Sequence, residues 1–428
     1  MNEPLRLGIA GLGTVGVGVL RIVRRQAEML TARTGRRIEV TAVSARTRDK
    51  DRGTPIDGFA WEDDPVALAT RDDVDIFVEL MGGADGPAKA ATEAALKAGK
   101  HVVTANKAML AVNGQALAEL AEANDRQLRF EAAVAGGIPI IKSLTEGLAG
   151  NEIRRVMGVM NGTCNYILTR MQSAGLPYEE VFEEANQLGY LEADPELDVG
   201  GIDAGHKLAI LASIAFGTRV AFDAMELEGI GRITTEDITQ AADMGYRIKL
   251  LGVCRMTGRG LEQRMSPCLV PAASPLGQLE GGTNMVVVEG DAVGQIVLRG
   301  AGAGEGPTAS AVMGDICDIA RGVRLPVFGQ PATTLAEPTP AASATPAAFY
   351  LRMTLLDKPG ALAKVATVLG DQGISINRMR QYDHDESVAP VLIVTHQCVR
   401  ADLDRAIEAM AGTGVVQGAP VALRIEEV

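Results

Sequence analysis

Leu5-Arg-Leu-Gly-Ile-Ala-Gly-Leu-Gly-Thr-Val-Gly16 starts as an apolar run and ends in spaced glycines; Val17, Val19, Leu20, Ile22 and Val23 follow at helical spacing. A strand that passes through G-x-G-x-x-G into a helix is a dinucleotide-binding pattern. Gly11 permits the tight turn, Gly13 lets the backbone approach a pyrophosphate, and Gly16 lets helix and strand pack closely. The first helical turn, with Thr14 and Val15, offers unpaired N–H groups and the positive end of the helix dipole to phosphates. Without that context the same glycines would make a plain strand–helix turn.

Working outward, Ile38–Ser44 and Asp75–Leu80 read as further strands, and Ala88–Ala98 as a helix closed by Gly99. Lys100-His-Val-Val-Thr104-Ala-Asn-Lys107 delivers Thr104 and Lys107 to the carboxyl edge of the sheet, where open α/β sheets bind ligands. Lys107 also fits an ordinary helix start. Gln127–Ala133 reads as the fifth strand and runs into Val134-Ala-Gly-Gly-Ile-Pro139. Composition alone reads this as a simple turn, with a hard cation on Glu131 and carbonyls of that turn as the minority option. The second strand ends in Ser44-Ala-Arg46-Thr-Arg48-Asp-Lys50, with no acid at its tip. An NAD-preferring domain would place Asp or Glu there. Arg46 suits a 2′-phosphate instead, pointing to NADP(H) or to tolerance of NAD(H) as well. The alternative is a solvated basic loop.

The 428 residues suffice for two or three domains, with 47% hydrophobic and 22% charged residues. A net charge of −13 argues against nucleic acid as the main partner. The five cysteines form no C-x-x-C, which fits a reducing compartment and argues against both a disulfide framework and a structural zinc site. No signal peptide and no membrane span are expected, so the protein is expected in the cytoplasm.

A second stretch concentrates charge: Gly189-Tyr-Leu-Glu192-Ala-Asp194-Pro-Glu-Leu-Asp198-Val-Gly-Gly-Ile-Asp203-Ala-Gly-His-Lys207. Its first part is too rich in Pro and Gly for regular helix. The apolar run after it places Asp203 and Lys207 four residues apart, on one helical face. Alone, this is most economically an i,i+4 ion pair at a helix start. Charges on a buried face otherwise need partners or a job.

After about residue 140 the βαβ rhythm stops. Strand candidates at 152–160, 247–256, 261–270, 284–289 and 295–299 suggest a mixed or antiparallel sheet. A glycine-rich loop at 300–306 precedes a helix at about 307–322, expected to return to the first domain. Residues 329–348 read as a solvated, semi-stiff linker. Beyond it the pattern is β-α-β-β-α-β, a ferredoxin-like unit. The fold class is α/β with α+β. A doubly wound Rossmann-like sheet occupies 1–135, a mixed-sheet domain 136–328, the linker 329–348 and the small unit 349–428.

Gly8–Gly16, Thr104–Lys107, Glu131–Pro139, Asn161-Gly-Thr-Cys-Asn-Tyr-Ile167, Gly189–Lys207 and Gly302–Ser310 occur here in that order, followed by Leu356-Asp-Lys-Pro-Gly-Ala-Leu362 and Gly373-Ile-Ser-Ile-Asn377. Together they resemble the homoserine dehydrogenase family in its form with a C-terminal ACT module, over essentially the whole chain. The resemblance implies NAD(P)-dependent interconversion of L-homoserine and L-aspartate 4-semialdehyde, in threonine and methionine biosynthesis. It makes Lys207 the proton donor and Lys107 a second catalytic ammonium. Glu192 and Asp203 would bind homoserine, with Asp198 behind, and Asn161, Gly162 and Thr163 would line the pocket. Gly189 and Gly306 join the cofactor set of Gly11, Gly13, Thr14, Val15, Gly16, Arg46, Thr104 and Lys107. Glu131 with the carbonyls of Val134, Gly136 and Ile138 resembles a structural sodium site. The central domain would also dimerise, giving a homodimer or homotetramer, and threonine would be an effector near Asn377 and the 357–362 loop.

Two rivals are open. Cys164 could serve a thioester-forming semialdehyde dehydrogenase, but no histidine lies near it in sequence. The chain could also be a non-catalytic amino-acid sensor, against which Lys107, Glu192, Asp203 and Lys207 all argue.

Overall fold

The structure is a computed structural model and describes residues 3–191, 194–341, 345–382 and 387–428. A first, wholly parallel sheet has the order β3-β2-β1-β4-β5-β6. Its strands are β1 (Leu5–Ala10), β2 (Ile38–Ser44), β3 (Ala60–Trp61), β4 (Ile76–Glu79), β5 (His101–Thr104) and β6 (Leu128–Arg129). Strand order reverses between β1 and β4, so a crevice opens at the carboxyl end of β1, where the glycine turn lies. The helix Thr14–Arg25 follows that turn directly. Against it packs the helix Glu305–Ala320, which returns from the other end of the chain. Gly18 permits the approach, because a Cβ there would lie 2.9 Å from the Ala309 side chain.

Around the first sheet, two expectations need correction. The strand expected as the fifth, over Gln127–Ala133, is β6 and is much shorter; only Leu128–Arg129 pairs, and Glu131–Ala133 forms a 3-10 turn. The backbone leaves the sheet because Glu131 N–H donates to Asp315 at 2.8 Å and the Glu131 carboxylate turns toward the start of the next helix. The late helix begins at Glu305, ahead of Pro307. Pro307 fits inside the first turn because backbone N–H groups there have no intrahelical acceptor.

The second sheet is mostly antiparallel. It contains β7 (Ile153–Val159), β8 (Glu226–Leu227), β9 (Tyr246–Thr257), β10 (Gly260–Pro271), β11 (Thr283–Gly290) and β12 (Gly294–Ala301). Their order is β12-β11-β7-β9-β10, with β8 beside β10. The apolar helix Ile202–Phe216 packs on this sheet, burying Leu208, Ile210 and Leu211 completely. Before it, Pro195–Val199 does form a short helix, contrary to expectation, because Asp194 caps Glu196 N–H and Pro195 fits the first turn.

The C-terminal unit contains β13 (Ala348–Leu356), β14 (Ile376–Gln381), β15 (Val388–Thr395) and β16 (Val416–Ile425), with helices Ala361–Asp371 and Arg400–Ala411. Its strand order β16-β13-β15-β14 continues the second sheet. The join is two parallel pairs, Cys268↔Arg424 and Leu269↔Ile425. The stretch before the unit is not a solvated linker. Ala332, Leu335 and Ala341 are buried, Ala332 N–H donates to Glu122 at 2.8 Å, and Pro340 bridges to Leu261. Small apolar side chains suffice here because the segment lies flat on a formed surface.

Candidate active site

A cavity of about 510 Å³ lies between the carboxyl edge of the first sheet and the second domain. Lys107, the first residue of the helix Lys107–Ala123, enters from one side. Asn161, Thr163, Asp198, Asp203 and Lys207 form the other. Lys207 Nζ donates to Asp203 Oδ2 at 2.7 Å and to the Met160 carbonyl at 2.8 Å. Lys107 Nζ lies 3.0 Å from Asp203 Oδ1. Asn161 Nδ2 donates to Asp198 Oδ1 at 2.8 Å and to Asp203 Oδ2 at 3.1 Å. The expected ion pair therefore exists, but inside a cavity and bridged to the other domain. Burial would raise the Asp203 carboxyl; Lys207 and Lys107 outweigh it and hold the group well below the usual carboxylate range.

Local sequence explains the placement. Asn161 caps the helix Gly162–Ala174, accepting Cys164 N–H at 2.8 Å, so its amide N–H₂ turns to the carboxylates. Gly162 allows that helix start to lie on the chain, since a Cβ would meet Gly282 O at 2.6 Å. Thr163 Oγ donates to Tyr190 O at 2.9 Å, and the Tyr190 ring stacks on Tyr166 at 4.6 Å, fixing the segment that carries Gly189. Glu192 lies outside the described residues. Cys164 is fully buried, and its thiol donates to Asp198 O at 3.2 Å. Burial, with Asp198 and Asp203 nearby, pushes that thiol well above its ordinary range, so it remains protonated.

The glycine turn fits a dinucleotide. Gly11 has φ +100° and a Cβ would strike Leu80 O; a Cβ on Gly16 would strike Gly11 O. Around Gly13 a Cβ would meet nothing within 4 Å, leaving room for phosphate. Gly13 is the N-cap of its helix and supplies no side-chain acceptor, so the first N–H groups, including Thr14 and Val15, are available to phosphate oxygens. Val15 also lines the cavity. Arg46 is exposed on the loop after β2. Thr104 does not reach the cavity: fully buried, it donates to Glu79 at 2.6 Å and accepts Asn106 N–H at 2.9 Å. Gly306 is exposed in the first turn of Glu305–Ala320 and does not itself line the cavity, although Gly304 and Thr308 on either side of it do.

Three residues lacked a sequence signal. Glu79 also accepts Met81 and Gly82 N–H, fixing the loop after β4. Arg52 donates to Leu12, Thr47, Arg48 and Lys50 carbonyls, pinning the basic loop to the glycine turn. Asn284, 1% exposed, lines the cavity with its Oδ1 lacking a hydrogen-bond partner. A conspicuous acid three residues before glycines and an arginine in a charged loop look ordinary until the carbonyls they meet are in place.

At the junction, Glu131 accepts Ile141 N–H at 2.9 Å and Lys142 N–H at 2.8 Å. Ala135 and Gly136 both have positive φ, and Gly137 N–H donates to Ala301 O at 2.8 Å, clamping this turn to the second domain. Burial and the neighbouring Asp315 push Glu131 up to about 7; Asp315 itself, also by burial, rises to about 6. The Ile138 carbonyl accepts Ile140 N–H, and Val134 and Gly136 flank it in the same turn. An oxygen-rich turn beside two buried carboxyls is the kind of donor set a hard cation takes.

This fold and site define a nicotinamide-dependent oxidoreductase with an appended ACT module. Residues 139–317 match the homoserine dehydrogenase family, 11–131 its NAD-binding domain and 349–413 the ACT domain. The chain is 43% identical to homoserine dehydrogenase of Neisseria gonorrhoeae over 432 residues, 99% of both chains. It is similar to the crystal structure of a homoserine dehydrogenase from Thiobacillus denitrificans, with TM-score 0.94, 40% identity and coverage of 100% and 99%. A hyperthermophilic archaeal homoserine dehydrogenase in complex with NADPH has TM-score 0.64 and 27% identity, over 76% of this chain and 99% of that one. The chain belongs to the homoserine dehydrogenase family. Neither the sensor reading nor the thioester enzyme fits that membership.

Proposed function

We propose that the cavity interconverts L-aspartate 4-semialdehyde and L-homoserine, with Lys207 as proton donor in the reducing direction. The observation that carries the assignment is the Lys107–Asp203–Lys207 array, two ammonium groups on one buried carboxylate. A bound nicotinamide supplies or accepts the hydride. The chain's residues handle the charge that results. Oxygen at the reacting carbon becomes negative as the aldehyde is reduced, and Lys207 Nζ, held by Met160 O and Asp203, offers it a proton. Lys107 adds a second positive donor for the same oxygen. Asp203 and Glu192 take the substrate ammonium, with Asp198 and Asn161 holding Asp203 in place.

Arg46 and the absence of an acid after β2 favour NADP(H), and the NADPH complex of the archaeal relative accords with that choice. Glu131 with carbonyls of Val134, Gly136 and Ile138 would hold a monovalent cation that braces the junction and takes no part in hydride transfer. The ACT module argues for an amino-acid effector. Five unpaired, buried cysteines favour a reducing cytoplasm, and no helix of the described residues is long and apolar enough to cross a membrane. Assembly as a homodimer or homotetramer through the second domain accords with β12 ending the sheet order and Val297 being 39% exposed there.

Loss of nicotinamide absorbance on mixing the protein, NADPH and aspartate semialdehyde tests the activity. No substrate-dependent change would refute it.

A further inference from the structure

Lys249 of β9 is 3% exposed and makes no ion pair among the described residues. Its Nζ donates to Asn165 Oδ1 at 2.9 Å and to the Leu279 carbonyl. Burial pushes this ammonium down to about 8, against the pull of Glu280 and with a further push from Arg247. The proposed hydride chemistry does not use this cation. A lysine buried among neutral oxygens carries a desolvation cost that its contacts must offset.

What Lys249 does follows from where its acceptors belong. Asn165, 1% exposed, lies in the first turn of the helix Gly162–Ala174, which Asn161 caps. Its Nδ2 donates to the Gly281 carbonyl at 2.7 Å and to the Leu279 carbonyl at 3.4 Å. Residues 279–282 turn ahead of β11, outside any strand, and these side chains take up the turn's carbonyls. Carbonyl oxygens only accept, so the Asn165 amide must present its N–H₂ to the turn. Its own oxygen then needs a donor, and Lys249, with three N–H bonds and no acceptor, completes the set.

The same turn is part of the active-site wall. Gly282 lines the cavity beside Gly162 and Tyr190. Its carbonyl lies against Gly162, where a Cβ would come within 2.6 Å of it. A Cβ on Gly282 itself would sit 3.7 Å from the Tyr190 ring. Thr163 holds the Tyr190 carbonyl, and Asn161 holds Asp198 and Asp203. A shift of the turn therefore moves the helix start and the segment that receive the substrate. The phosphate-binding turn at Gly11–Gly16 lies outside this chain of contacts.

We propose that Lys249 and Asn165 are positioning residues for the substrate: they hold the 279–282 turn, and through it the pocket wall at Gly162 and Tyr190, without touching the reacting atoms. The proposal rests on the reading of this cavity as the homoserine site.

Asn165→Asp separates positioning from stability. It keeps an acceptor for Lys249, now a carboxylate, and removes the donor to the Gly281 carbonyl. The experiment is steady-state oxidation of L-homoserine by NADP+ with the full chain, alongside fluorescence titration with NADPH and thermal unfolding. In Asn165→Asp, KM for homoserine should rise about tenfold while NADPH affinity stays within about twofold and Tm is kept. Lys249→Met, of similar reach but without donors, should raise the same KM and also lower Tm; if it does not fold, Asn165→Asp decides alone. An unchanged KM in Asn165→Asp, or an equal loss of NADPH affinity, overturns the positioning role. Absence of turnover in the unaltered enzyme overturns the reading of the site itself.

Discussion

Lys107 Nζ lies 3.0 Å from Asp203 Oδ1, so the nucleotide-binding sheet and the second domain share a charge pair inside the cavity. Lys207 occupies the other oxygen of the same carboxylate. Each ammonium thus has a partner of its own when the substrate is absent. A substrate ammonium arriving at Asp203 would compete for that carboxylate and redirect the lysines to the reacting oxygen.

Lys207→Ala should lower kcat by about a hundredfold or more, the usual scale for a general acid. In the proposed roles Lys107 positions and polarises without owning the proton, so Lys107→Ala should lower kcat less and raise KM for the semialdehyde. Steady-state kinetics of both variants separates the roles; a KM-only effect in Lys207→Ala would transfer the proton to Lys107.

Cys164→Ser should retain most activity. The thiol is buried, protonated and committed to Asp198 O. Abolished turnover in a variant of unchanged Tm would revive covalent catalysis.

Gly13→Ala and Gly16→Ala should fail differently. Alanine at 13 meets no protein atom but intrudes where phosphate approaches, so Tm should hold while affinity for NADPH falls. Alanine at 16 collides with the Gly11 carbonyl, so Tm itself should fall. Thermal unfolding and cofactor fluorescence titration read the two separately.

Stability should depend on pH through Glu131 and Asp315. Their folded-state values lie near 7 and 6, above those of free carboxyls. The folded state therefore holds these protons more tightly. The associated stabilisation is complete below about pH 4, at the unfolded values, and is lost as pH rises through 6 and 7. With choline as the only cation, Tm should fall between pH 5 and 8. Added sodium should restore Tm more at pH 8 than at pH 5, and Glu131→Gln should flatten both responses. An equal sodium response in Glu131→Gln would remove the cation from this turn.

Arg46→Ala should raise KM for NADPH far more than for NADH. Equal effects on both would mean that the 2′-phosphate is held elsewhere on the loop that Arg52 pins.

Much of this was legible in the residues because it is local. The glycine turn is dictated by backbone sterics at Gly11 and Gly16, and the βαββαβ order of the last unit by alternating periodicities. The pairing of Asp203 with Lys207 follows from helical spacing. Its junction with Lys107 does not, since 96 positions of sequence separate Lys107 and Asp203. Thr104 read as a ligand contact because of its strand end, yet its hydroxyl is spent on Glu79. Residues around 332–341 read as solvated because they are small, and small size is also what lets a strap lie flat. The continuity of β10 with β16 depends on two residue pairs, too few to leave a periodic trace.

Those two pairs make the C-terminal ACT module difficult to detach. A chain shortened before β13 would lose Glu426, leaving the buried Arg264 with only the more distant Glu262, and would leave Cys268 and Leu269 on a bare strand edge open to association with other chains. The shortened enzyme would then differ in solubility and folding, and a change in its activity could not be credited to the missing module's own function alone.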